Sequence, residues 1–293
     1  WDNGHFQAFT TRQGLSSNYI TSLADDGSGG LWIGTGQGLN HFQNGRMRIF
    51  DIASGLPHSD IRALHLDPQG TLWIGTSGGG LIGFRNGSFE RLKAGISSND
   101  IRTVYQDRHG VLWIGTNQEP LNRLKDGRVS VMGQRLAGLM SARVILEDSE
   151  GSIWVGTRDG LIQLKDEKFI LYGSRNGLPV DPVRAVFEDR QGNIWIGTVG
   201  GGLVQFKEGV WKTYDRDQGL LSEHIWSITQ SHDDAIWVGT YGGGLYRMPS
   251  AGKRETFVRV RGVANDIIRA LLTDSRGRVW VGTNGGGLDC LEK

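Results

Sequence analysis

Ile61-Arg-Ala-Leu-His-Leu-Asp-Pro-Gln-Gly-Thr-Leu-Trp-Ile-Gly-Thr-Ser-Gly-Gly-Gly-Leu-Ile-Gly-Phe-Arg-Asn-Gly-Ser-Phe-Glu-Arg-Leu92 is the stretch from which the rest of the chain is read. It divides into four short runs, 61–66, 71–76, 81–84 and 88–92, parted by Asp67-Pro-Gln-Gly70, Ser77-Gly-Gly-Gly80 and Arg85-Asn-Gly87. Asp, Asn, Pro and Gly are the residues that tight turns select, and runs of four to six residues between them have strand length. The second run, Thr71-Leu-Trp-Ile-Gly-Thr76, is apolar on both of its alternating faces. A sheet built on it has to be covered on both sides.

Outward from this stretch, Trp-(Ile/Val)-Gly-Thr recurs at Trp32, Trp73, Trp113, Trp154, Trp195, Trp237 and Trp280, with spacings of 41, 40, 41, 41, 42 and 43 residues. A period near 40 residues holds one four-stranded unit. Sheets with two apolar faces bury them by stacking radially on copies of themselves. The expected fold is therefore all-β: a seven-bladed β-propeller with four antiparallel strands per blade. No stretch sustains a 3.6-residue period, so almost no helix is expected.

The first turn follows a rule, Asp-x-x-Gly-x-x-Trp, at Asp26, Asp67, Asp107, Asp148, Asp189 and Asp274. The repeat of Trp237 breaks it, with Ser231 at the Asp position and Asp234 at the Gly position, and a looser hairpin is expected there. Fourth strands carry two apolar residues three apart: Met47/Phe50, Phe89/Leu92, Val129/Met132, Phe169/Tyr172, Trp211/Tyr214 and Phe257/Val260. The last repeat lacks one, and Phe6/Phe9 at the chain start supply it. The N-terminal strand, residues about 5–10, is expected to complete the C-terminal blade and close the ring, so that no strand edge is left open.

The chain has 293 residues and is read as one propeller domain, 1–293. It begins with Trp1 rather than Met, which suggests a segment of a longer protein. Lys and Arg number 32 against 31 Asp and Glu, a net charge of +1 that gives no general attraction for nucleic acid or an anionic membrane. One cysteine, Cys290, excludes an internal disulfide and a cysteine-based zinc site. No apolar run is long enough to span a membrane and no signal peptide is visible, so no direct membrane contact is expected of this segment.

Leu-Trp-Ile-Gly-Thr-x-Gly-Gly-Gly-Leu, preceded by Asp-x-x-Gly and by Gly-Leu-Pro loops such as Gly55-Leu-Pro57 and Gly177-Leu-Pro179, resembles the two-component regulator propeller repeat. Gly14-Leu-Ser16 and Gly219-Leu-Leu221 carry the loop in part. The resemblance implies a periplasmic or extracytoplasmic sensor domain of a bacterial receptor. Its output, a histidine kinase (often a hybrid) or a diguanylate cyclase, would lie outside this chain. Some such receptors sense oligosaccharides with two propellers in tandem. Partners implied are a small-molecule ligand, oligosaccharide or anionic, or another propeller, with a homodimer in the full receptor.

In a propeller, the loops leading into the innermost strands and the second-to-third-strand turns share one face, around the channel mouth, where pockets form. Five residues before the turn Asp, counting from Ser231 in the odd repeat, stand Thr21, Arg62, Arg102, Arg143, Arg184, Trp226 and Arg269. Guanidinium groups recognise carboxylate, sulfate or phosphate through a planar fork. The competing reading is local: Asp60, Asp100 and Asp266 are close enough to pair with Arg62, Arg102 and Arg269, or these arginines stack on the adjacent Trp. Breaks in the repeat add candidates. His224 flanks Trp226, and Tyr241 follows the Thr of the same repeat; the two aromatics would stack on a flat ligand or simply pack between blades. Asn117-Gln-Glu119-Pro replaces a triple-glycine turn and Arg158-Asp159 shortens another, so Asn117, Glu119 and Arg158 join the candidate ligand-binding set or are drift of exposed turns.

Other chemistry is poorly supported. Triple-glycine turns such as Gly200–Gly202 precede strands rather than the helix a phosphate loop needs. The seven histidines show no metal-ligand spacing, and no nucleophile, base and acid trio has motif support. No cofactor, metal or catalytic residue is expected. The leading function is a non-catalytic binding sensor. A protein-interaction or dimerisation platform is the alternative. A carbohydrate-active enzyme of sialidase or lyase type is the third, since Asp-x-x-Gly-x-x-Trp is similar to the Asp-box turn of sialidases.

Overall fold

The structure, a computed structural model, describes residues 6–92, 95–118, 121–132, 141–175, 177–179, 182–250 and 256–291. The same local chemistry makes each blade, numbered 1 to 7 here in the order of their motif tryptophans, with strands a to d from the inside outward. In blade 2, strand a is Ile61–Leu66, b is Leu72–Thr76, c is Leu81–Arg85 and d is Ser88–Arg91, each antiparallel to the next. Gln69 and Thr71 N–H donate to Asp67 Oδ1 at 3.0 and 2.7 Å, and the Trp73 indole N–H donates to Oδ2 at 2.9 Å. One carboxylate thus satisfies turn amides together with an indole donor set among apolar groups. Asp107, Asp148, Asp189 and Asp274 take the indole N–H of Trp113, Trp154, Trp195 and Trp280 in the same way.

Two blades vary the theme. In blade 1, Asp26 Oδ2 meets His41 Nε2 at 2.8 Å, and the His41 ring stacks on Trp32 with centroids 4.0 Å apart. In blade 6 the expected loosening does not occur. Asp234 N–H donates to Ser231 O at 3.0 Å, as Gly70 does to Asp67 O at 3.0 Å in blade 2. Asp234 accepts the positive φ of 60°, and the Ser231 hydroxyl accepts the Trp237 indole N–H at 2.8 Å. A hydroxyl and a strained aspartate therefore reproduce the turn.

Six motif tryptophans are buried, whereas Trp73 is half-buried. Trp73 faces Gly83 on strand c, which has no side chain to lay over the indole; Trp32 faces His41 and Trp113 faces Arg123. The motif glycine meets the next blade. A Cβ at Gly34 would stand 2.7 Å from Ile61 Cγ2, and one at Gly282 would stand 2.6 Å from Ile20 Cγ2. Only hydrogen at Cα lets the blades come this close.

The seven sheets each have four strands. Phe6–Phe9 pairs antiparallel with Leu288–Leu291 in register Phe6–Leu291 to Phe9–Leu288, so the N-terminal strand completes blade 7. Each strand a touches that of both neighbours, and the last touches the first. The seam between blades 7 and 1 carries polar bonds as well: Ser275 N–H donates to Asp25 Oδ2 at 2.5 Å and Arg278 Nη2 to Gly29 O at 2.9 Å. Helical structure among the described residues amounts to two 3-10 turns, Thr11–Gln13 and Arg216–Gln218.

Candidate functional site

Strand a opens with an irregularity that builds the site. In blade 2, Ile61 pairs with Thr76 and Ala63 with Gly75, which leaves Arg62 as the extra residue of a β-bulge. Thr21, Arg102, Arg184, Trp226 and Arg269 occupy the same bulge in their blades. A bulge withdraws one residue from the ladder and re-aims its side chain. In blade 4, Arg143 stands just before strand a (Val144–Glu147), its N–H donating to Gly156 O at 2.8 Å. Together Thr21, Arg62, Arg102, Arg143, Arg184, Trp226 and Arg269 line one cavity of about 260 Å³. These are the seven positions that the repeat offset selects.

The b–c turns lie at the same end of the blades, because the start of strand a pairs with the end of strand b. Their glycine amides are already in use. Gly200 and Gly202 N–H donate to Glu223 O of the next blade at 2.9 and 3.0 Å, and Gly242 and Gly244 donate to Asp266 O at 3.1 and 2.9 Å. Gly285 and Gly287 do the same to Asn18 O at 3.1 Å, across the ring seam. The triple-glycine turn is thus a clamp between blades, which commits these amides to the neighbouring loop rather than to a phosphate.

The arginines differ in their partners. Arg62 pairs with Asp60 at 2.8 Å and Arg102 with Asp100 at 2.9 Å, as local pairing predicts. Arg269 does not pair with Asp266. Its Nε donates to Asn284 Oδ1 at 2.6 Å, while Asp266 bonds Arg259 of strand d at 2.6 Å. The reason is that Arg269 lies over Trp226, its Cζ 5.0 Å from the ring centroid, which draws its head away from its own loop. Arg184 lies over the same indole at 4.8 Å. Trp226 also packs on Tyr241 with centroids 4.6 Å apart. Among the described residues, Arg143 and Arg184 have no carboxylate partner.

Crowded cations shift one another. Burial, then Arg143, Arg269 and Arg102, pull the Arg184 pKa down to about 10, which still leaves it charged at neutral pH. Burial lowers Arg143, helped by Arg102 and Arg158, and burial followed by Arg62 lowers Arg269. Among the described residues, the buried Nε atoms of Arg62, Arg102, Arg143 and Arg184 find no acceptor.

The remaining candidates spread outward. Arg158 is exposed but near enough to act on Arg143. Tyr241 is half exposed, and its N–H donates to His224 O at 3.0 Å; the His224 side chain faces solvent. Asn117 is exposed, its N–H bonded to Asp100 O at 3.1 Å, and Glu119 lies outside the described residues. Sequence reasoning missed Asn284, which holds Arg269. The signal was available, since Asn284 follows the motif Thr as Asn117, Arg158 and Tyr241 do. A cavity of about 380 Å³ among Trp113, Arg123, Val131, Met132, Leu164 and Phe169 lies between the outer strands of blades 3 and 4, away from the ring. Among the described residues, no three His, Cys, Asp or Glu side chains are grouped to hold a metal.

Fold and site together define a closed seven-bladed propeller with a cation-lined mouth. The chain belongs to the two component regulator propeller family, whose model matches residues 14–37, 55–78, 95–118, 138–159, 177–200, 219–242 and 262–285, more than half of its length. Comparison with curated proteins finds no match. Among solved structures, it is similar to the extracellular domain of the hybrid two component system BT3049 from B. thetaiotaomicron, at 23% identity and TM-score 0.82 over 99% of this chain and 42% of that one. The extracellular domain of BT4673 from the same organism gives 21% identity and TM-score 0.82, over 99% and 40%. Virginiamycin B lyase from Staphylococcus aureus gives 10% identity and TM-score 0.76, over 99% and 100%. These likenesses carry the fold. The chain spans about two fifths of each of the two extracellular domains.

Proposed function

We propose that this chain is an extracytoplasmic sensor propeller of a signal-transduction receptor, without catalysis of its own, and that its ligand binds at the arginine-lined mouth. The observation that carries the reading is that all seven ring positions, drawn from seven blades, line a single cavity. Scaffold demands explain the Trp, Asp and Gly that recur in the blades; they do not explain five guanidiniums facing one space. Membership of the two component regulator propeller family supports the sensing role, and the two extracellular neighbours support the location.

The cavity walls offer arginines, a threonine and an indole. Asp60 and Asp100 are bound to their arginines. A nucleophile with a base is not in this set, which supports binding over turnover despite the fold shared with the lyase. A packed ring is stiff, so ligand binding would act by shifting the propeller as a rigid body within the receptor.

The test is thermal melting of the propeller with a panel of neutral and acidic oligosaccharides and small anions, repeated on the Arg102→Ala/Arg143→Ala variant. The reading expects at least one compound to raise the melting temperature of the wild type and not of the variant. A shift that the variant keeps would move the site away from the mouth.

A second reading, propeller-to-propeller pairing, has its own observation. Strands d of blades 1, 3, 4, 5 and 6 expose Ile49, Val131, Ile170, Val210 and Val258. Sedimentation across a hundredfold concentration range tests it, and a constant monomer would remove it for this chain.

A further inference from the structure

We infer that the mouth takes a compact polyanion, a molecule with two or three oxyanion groups held within a few ångströms, and that Arg143 and Arg184 are its principal contacts. The inference rests on the mouth reading and sharpens it. It follows from charge, donors, size and the state of the aromatic.

Charge comes first. Five guanidiniums face the cavity and two carboxylates pair with them, those of Asp60 and Asp100. Among the described residues, three cations, on Arg143, Arg184 and Arg269, are left without an acid. A single carboxylate or phosphate monoester leaves part of that excess unbalanced, whereas a di- or trianion matches it. The arginines act on one another already: Arg184 is depressed by three ring neighbours and Arg143 by Arg102. An anion among them gains their combined attraction and removes their mutual repulsion.

Donors come next. Four Nε–H groups of the mouth, of Arg62, Arg102, Arg143 and Arg184, are buried and find no acceptor among the described residues. Buried donors are normally paired, and oxyanion oxygens are what a guanidinium edge pairs with. In the wall of blade 1 the Thr21 hydroxyl is likewise buried and unpartnered, a neutral donor opposite the cations.

Size and shape narrow the choice. About 260 Å³ is smaller than the usual pocket for a drug-sized ligand, and it suits a molecule of citrate or pyrophosphate dimensions rather than a sugar chain. Trp226 is not a free platform for a sugar ring. Arg184 and Arg269 lie over it and Tyr241 packs against it. Its role is to hold two of the three unneutralised guanidiniums in place by cation–π attraction.

Polycarboxylates and polyphosphates share this chemistry, and the experiment separates them. The propeller is titrated calorimetrically with citrate, pyrophosphate, acetate, orthophosphate and a neutral disaccharide, cellobiose, at 20 and 200 mM NaCl. Citrate or pyrophosphate is expected to bind at least about tenfold more tightly than the smaller anion of its own kind, acetate or orthophosphate, and to weaken severalfold at the higher salt. Arg143→Gln and Arg184→Gln should each cost about tenfold or more, a charge-assisted hydrogen bond apiece. Arg184→Lys should recover part of the loss, because it restores the charge without the fork. Arg190→Gln, in the a–b turn of blade 5 at the opposite end of the blades, should leave these affinities unchanged. Which polyanion binds tells the two sources apart. If cellobiose binds in an Arg184-dependent way and the polyanions do not bind, the polyanion inference is wrong and the mouth reading stands. If the polyanions bind equally well to Arg143→Gln and Arg184→Gln, the assigned contacts are wrong. If no probe binds the correctly folded wild type, the inference falls, and the melting panel above then decides the mouth reading separately.

Discussion

At the scale of single residues, the most informative comparison is among three side chains at one register position. Asn40, Asn122 and Asp289 all stand on strand c opposite the motif's apolar residue, Ile33, Ile114 and Val281. Each accepts an N–H from the loop that leads into a strand a: Asn40 from Ser16 at 2.8 Å, Asn122 from Ser97 at 3.0 Å and Asp289 from Ala264 at 2.9 Å. The amides also donate, Asn40 to Ile33 O at 3.2 Å, whereas the second oxygen of Asp289 is buried without a partner. Burial pushes the Asp289 pKa up to about 6. The native state then holds a proton that the unfolded chain releases near pH 4, so the contribution of Asp289 to stability should fall as pH rises from about 4 to 6 and level off above. Asp289→Asn should abolish that fall and add on the order of 3 kcal/mol at pH 7, with little effect near pH 4. Melting curves at pH 4.5 and 7.5 check this. Equal changes at both pH values would show that the buried carboxylate is not the source.

At the scale of elements, the N-terminal strand is the ring's fastening. Phe9 sits in the seam, 4.9 Å from Phe42 and 6.0 Å from Trp280 between ring centroids. Its backbone pairs with Leu288. Phe9→Ala should cost about 3–5 kcal/mol, the usual price of a buried aromatic. Removing residues 1–9 should cost more and expose the edge of Leu288–Leu291 to pairing with other chains. Hydrogen exchange at Leu288–Leu291 would report the loosened edge, and unchanged protection there would contradict the closure.

The elements also show what was legible beforehand. Blade number, strand order and the fastening strand follow from the repeat, because every blade solves the same burial problem with the same residues. The arginine positions were legible for the same reason: a fixed offset from the turn Asp fixes a place on strand a. Partners were less so. Arg62 and Arg102 pair within their own loops, which spacing can show. Arg269 leaves Asp266 for Trp226 and Asn284 of other loops and strands, and Asp266 goes to Arg259 on strand d. Those choices depend on which blade neighbours which face, and linear spacing does not contain that. The blade 6 turn misled for a different reason. Ser231 and Asp234 break the motif but keep its hydrogen bonds.

At the scale of the whole molecule, the ring converts a sequence repeat into a concentration of like charge. Six bulges and the residue before strand a of blade 4 aim seven side chains at one space, and five of these carry a positive charge. Nothing in the blade core requires this, since Thr21 and Trp226 serve the same backbone position. If the mouth is kept for an anion, the unneutralised cluster is expected to oppose folding in its absence, as functional sites commonly do. The measurement that tests this most directly is the melting temperature of the Arg143→Gln/Arg184→Gln double variant at low ionic strength in a zwitterionic buffer free of polyanions. A site kept for binding predicts that the variant melts higher than the wild type, by roughly 2 °C or more for about 1 kcal/mol of relieved repulsion, and that the gap shrinks as NaCl is added. A variant that melts lower at every salt concentration would show that these arginines hold the propeller together, and would contradict the account.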